Sequence, residues 1–150
     1  MPIRHVLIGA LSATLLASAA IAQPMPVYFA PEGAAMAGYD PVSYFQGDIP
    51  VQGRPEISVT WKGAEWHFAS LENRALFESN PRAFAPQFGG YCSYAMAQGI
   101  LKGTDPGAWQ VVDGRLYLTF SPEIERKWRE DQLEYIHQAE GNWPEILYRE

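Results

Sequence analysis

The sequence predicts an α+β fold, a small single domain with two β-hairpins packed against short helices and a C-terminal helical segment. Two observations point to it. Short runs of alternating apolar residues come in two pairs, each joined by a glycine-containing turn, Lys62-Gly63-Ala64 and Asp113-Gly114. Helix-start signals lie between and after these pairs, with no regular βαβ alternation. A chain of 150 residues suits one domain.

Residues 1–22 read as a secretory signal peptide. Arg4 and His5 give a basic start, Val6–Ala19 is a run of apolar and small residues, and Ala20-Ile21-Ala22 fits a small-x-small cleavage site. An N-terminal anchor is the alternative, but the run is short for a span and Gln23-Pro24 ends it abruptly. With no cysteine near the cleavage site, lipid attachment there is excluded. The expected location is the periplasm or outside the cell, with no membrane span after cleavage. The domain is expected over residues 23–150, its core motifs at about 38–99 and its second hairpin and last helices at about 108–148.

Met25–Ala37 is rich in Pro, Ala and Gly and is expected to fray or to wrap the surface. Asp40 before Pro41 reads as a helix cap with proline at the first helical position, opening a short helix to about Gln46. Ile57, Val59 and Trp61 alternate with Ser58, Thr60 and Lys62 as a half-buried strand. Glu65–Phe68 returns as its partner, with Trp66 and Phe68 on one face and Glu65 and His67 on the other. Ser70 caps a helix to about Asn80, stopped by Pro81, with Asn73, Leu76 and Phe77 on its inner face. Arg82–Ala85 adds a short turn carrying Phe84. Gly89-Gly90 suggests positive φ or a close backbone approach. Tyr91–Gln98 is expected to make two helical turns closed by Gly99.

Leu101–Gly107 is expected to be a loop. Trp109–Val112 and Arg115–Phe120 flank Asp113-Gly114 as the second hairpin. Ser121 then caps a helix with Pro122 and Glu123 in its first turn. The apolar stripe of Ile124 and Trp128 slips near Asp131, so a kink or a second helix is expected from about Gln132 to Glu140.

Composition narrows the function. Without Arg4 the mature chain has 10 basic and 17 acidic side chains, a net charge of −7. That disfavours a nucleic-acid partner. Cys92 is the one cysteine, so no internal disulfide can form. A lone thiol in an oxidising compartment is buried, coordinated or a hazard. If Tyr91–Gln98 is helical, Cys92 and Met96 share a face about 6 Å apart at Cβ. A thiol and a thioether there suit Cu(I), with His67 as a candidate third ligand and Glu65 orienting its ring. The alternative is that Cys92 and Met96 simply fill the core. Tyr39, Tyr44, Tyr91 and Tyr94 either pack in the core or line a pocket, with Asp40 as its charged member. His137 reads as a solvated-face residue. A Cys92 nucleophile would need His67 as its base, an orienting residue and an oxyanion hole. No such constellation is seen, and the chain is not read as an enzyme.

Three stretches together resemble a secreted YHS-domain protein: Gly-Tyr-Asp-Pro-Val-Ser-Tyr-Phe at Gly38–Phe45, Phe-Ala-Ser-x-Glu-Asn-Arg at Phe68–Arg74 with Phe77 and Asn80-Pro81, and Gly-Gly-Tyr-Cys-Ser-Tyr-Ala at Gly89–Ala95. The Trp109–Tyr117 hairpin and Asn142-Trp143-Pro144 fit the same group. Members of the broader family occur beside copper-exporting ATPases and metal-dependent oxygenases. The resemblance therefore implies an exported metal-binding accessory protein, a copper carrier or buffer, serving a metalloprotein or metal transporter. Where metal-type members carry thiols, this chain has Ser43, Ala69 and Asn73. A metal site here would have to be built differently, with Cys92 and Met96 as candidate soft ligands and His67 as a candidate third. The second expectation is an interaction module without metal, binding a partner protein around Tyr91 and Tyr94.

Overall fold

The computed structural model describes residues 25–149, and the expected signal peptide falls outside them. The architecture is α+β, as expected. Strand β1 (Arg54–Trp61) pairs antiparallel with β2 (Ala64–Phe68), and β3 (Asp105–Val112) pairs with β4 (Arg115–Thr119). Each hairpin is its own two-stranded sheet. Both turns hold two consecutive residues at positive φ, Lys62 and Gly63 at 48° and 78°, Asp113 and Gly114 at 51° and 73°. Such turns match the twist of the strands they join. Strand β3 begins four residues before the expected Trp109, because Asp105 still pairs with Thr119 across an irregularity in register.

Ser70 caps helix α1 (Leu71–Ser79), its hydroxyl accepting from the Asn73 amide at 3.1 Å. Asn73 and Phe77 are buried as expected, but Leu76 is 40 % exposed, and helix α2 (Pro81–Phe84) follows at once. Helix α3 spans only Ser93–Ala97, not Tyr91–Gln98. Cys92 is its N-cap at φ −59°, ψ 114°, with its carbonyl accepting from Met96 N at 2.8 Å and its amide donating to Lys102 O at 2.9 Å. Ser121 caps helix α4 (Pro122–Arg129) by accepting from the Ile124 amide, and α5 (Gln132–Asn142) follows after the expected break at Asp131. The short helix expected after Asp40 is a single 3-10 turn, Ser43–Phe45.

Two apolar clusters form the core. The first gathers Val42, Tyr44, Trp66, Phe68, Phe77, Leu116 and Leu118; the second gathers Phe88, Tyr91, Met96, Tyr117, Trp128 and Ile146. Strand β4 is their common wall, since Leu116 and Leu118 go to the first and Tyr117 to the second. Of Met25–Ala37, expected to fray or to wrap the surface, the part to Ala30 wraps the surface, whereas Ala35 and Met36 are buried in the first cluster. Phe29 N donates to Gly89 O, Tyr91 Oη donates to Pro26 O, both at 2.8 Å, and the Tyr28 ring stands edge-on to Trp66. Gly89 makes the approach feasible: a Cβ on it would lie 1.9 Å from Val27 O. Among the described residues, no helix is long and apolar enough to cross a membrane.

Candidate functional site

Ser43, Ala69 and Asn73 come together on Asp40. Ser43 Oγ donates to Asp40 O at 2.7 Å, Ala69 N to Asp40 Oδ2 at 2.8 Å, and Asn73 Nδ2 to the same oxygen at 2.7 Å. Val42 N donates to Asp40 Oδ1 at 2.9 Å. Asp40 is fully buried, so it is a hydrogen-bonded junction of three chain segments and not the charged member of an open pocket.

The tyrosines do not share one pocket either. Tyr39 makes a bridge pairing with Gln52. Tyr44 is buried, donates its hydroxyl to Pro106 O at 2.8 Å and stands edge-on to Trp109. Burial, with Tyr39 and Asp105 nearby, pushes its phenol far above the usual range. Tyr91 is buried beneath Met25–Ala30, and burial raises its phenol too. Tyr94 is half-buried and packs edge-on against Tyr135.

The structure also seats Cys92, Met96 and His67 in different surroundings. His67 pairs through Nε2 with Glu65 Oε1, as the sequence suggested. Its ring borders a cleft with Glu32, Gly38, Gln52 and Gly53. Met96 is wholly buried in the second cluster. Cys92 is 1 % exposed and belongs to the wall of another cleft. Cys92 and Met96 remain one helical turn apart, the Cys92 carbonyl accepting from Met96 N at 2.8 Å, but Cys92 lies in the cleft wall and Met96 in the second cluster. Among the described residues, no three His, Cys, Asp or Glu side chains are grouped to hold a metal ion.

The cleft bordered by Cys92 has a mostly apolar wall. It measures about 450 Å³ and lies between α3 and the start of α4. Tyr94 and Ala95 come from α3, Ile100 and Lys102 from the loop after it, and Phe120, Glu123 and Ile124 from the β4–α4 junction. Ile100 and Phe120 are 53 % and 46 % exposed. Two large apolar side chains standing open on one concave surface are a feature of binding sites more than of packing.

No family model, curated protein or solved structure matches the chain. The functional reading therefore rests on this site. Sequence reasoning found Cys92 and Tyr94 but missed Ile100, Lys102 and Phe120. The available signal was weak: apolar residues placed just after a helix-ending glycine and just before a helix-capping serine, where packing does not require them.

Proposed function

We propose that this protein is an exported, non-enzymatic binding module of the YHS type, and that it works through the α3–α4 cleft. The open apolar concavity with Ile100 and Phe120 at its edge carries the reading. The gathering of Ser43, Ala69 and Asn73 on Asp40 supports the resemblance, since these are the positions at which it expects thiols in metal-type members. The test uses Nile red, an uncharged dye that brightens in apolar sites, with the wild type and Ala95→Trp. Ala95 is buried in the cleft wall, and an indole there fills the space. The wild type should take up the dye and the folded variant should lose at least tenfold in affinity. Equal uptake by both would remove the cleft from the account.

A second reading, copper carriage, has one specific observation behind it: the single thiol of the chain belongs to the wall of this same cleft. A Cu(I) ion bound there would depend on Cys92 and not on Met96 or His67. Cu(I) competition should then fall for Cys92→Ser alone among the variants Cys92→Ser, Met96→Leu and His67→Ala. Equal uptake by all of them would end the copper reading.

A further inference from the structure

We propose that the α3–α4 cleft selects an amphipathic monocarboxylate, with its apolar body against Ala95, Ile100 and Phe120 and its carboxylate at Lys102. The inference rests on the cleft being the working surface and adds the chemical class of its ligand. Charge complementarity carries it. Lys102 is exposed at the rim, and its Nζ stands 3.8 Å from the centroid of the Phe120 ring. No carboxylate lies within ion-pair distance of this ammonium among the described residues. The other charged residue of the wall is already engaged. Glu123 accepts from its own backbone amide and from the Ser121 hydroxyl, which hold its carboxyl below the usual range, and Arg126 Nη2 lies 3.7 Å from Oε1. Glu123 thus answers the end of its own helix and its own arginine. Lys102 remains as the cation without an anionic partner, beside an apolar surface.

The geometry also sets where the ligand charge goes. The ammonium over the Phe120 face marks the boundary between the apolar wall and solvent. A carboxylate there stays partly hydrated, so its attraction to Lys102 is modest and sensitive to salt. The apolar body supplies most of the affinity and the head group supplies the choice. Alcohols of the same length have the body without the charge and form the natural comparison.

The experiment measures displacement of Nile red by octanoate and by octanol, for the wild type and for Lys102→Gln, with folding of each checked by circular dichroism. In the wild type octanoate should compete about fivefold better than octanol, and the advantage should shrink in high salt. Lys102→Gln should erase the advantage, so that octanoate and octanol compete equally. Equal competition by the two ligands in the wild type, or an advantage that survives Lys102→Gln, would overturn the carboxylate inference while leaving the apolar cleft standing. Failure of the wild type to bind the dye at all would overturn both.

Discussion

Asp40 shows how much one side chain can organise. Its carboxylate accepts from Val42 N, Ala69 N and Asn73 Nδ2, and its carbonyl from Ser43 Oγ, all in the dry interior. Removing the acceptor strands several buried donors, which is far costlier than losing one exposed contact. Asp40→Ala should destabilise the protein by about 3 kcal/mol or more in urea denaturation, against about 0.5 kcal/mol or less for the exposed Asp48→Ala. Similar losses for both would mean that Asp40 is no junction. Tyr44 makes a different prediction. Its folded phenol titrates well above the usual 10.0, chiefly through burial. The raised value means that the fold favours the neutral form, so this stabilisation is complete below pH 10 and is lost as pH rises beyond it. Unfolding free energy should therefore decline above about pH 10, and Tyr44→Phe should make that decline shallower. At neutral pH the same variant should cost about 1 kcal/mol for the lost bond to Pro106 O. An unchanged alkaline slope would refute the assignment.

Turns and caps were the elements most readable from sequence, because their causes are local. Lys62-Gly63 and Asp113-Gly114 sit at positive φ, and Ser70 and Ser121 cap the helices they precede. The length of α3 was not readable. The helix starts after Cys92, whose ψ of 114° is non-helical, and ends before Gln98, and helical spacing encodes neither limit. The start of β3 was hidden in the same way, by Pro106 and Gly107 lying inside an irregular pairing. The α3–α4 cleft was only partly visible because its wall comes from three segments, of which only the one around Cys92 and Tyr94 had a recognisable motif. Glycines offer a sharp test at this scale. Gly89 and Gly114 both have positive φ, but a Cβ on Gly114 meets nothing within 4 Å, whereas one on Gly89 meets Val27 O. Gly114→Ala should cost about 1–2 kcal/mol for its backbone alone. Gly89→Ala should cost more and should also expose Met25–Ala30 to protease. Equal costs with equal protease resistance would show that the wrapped segment can move aside freely.

At the scale of the whole molecule, the question is whether two apolar clusters make one cooperative unit. Two connections say they do. Strand β4 sends Leu116 and Leu118 into one cluster and Tyr117 into the other. The wrapped segment sets Tyr28 against Trp66 in the first and Phe29 against Tyr91 in the second. Within the second cluster, Asn142 in α5 donates to Met96 O at 2.9 Å, tying the last long helix to α3. A small domain with shared walls is expected to unfold in one step. Trp66 and Trp128 are each fully buried, one in each cluster, and serve as separate fluorescence reporters when the other tryptophans are replaced by phenylalanine. Each reporter background carries its own stability, so the comparison is made within each background against a common probe, far-ultraviolet circular dichroism. Fluorescence and circular dichroism should give one urea midpoint in both. Leu116→Ala removes a fully buried side chain from the shared strand and should cost about 3 kcal/mol. It should lower the Trp128 midpoint as well as the Trp66 midpoint, although Leu116 itself lies in the first cluster. A Trp128 signal that stayed in place while Trp66 shifted would divide the molecule into two units, with α3 and the proposed cleft on the side that unfolds independently of the Asp40 junction.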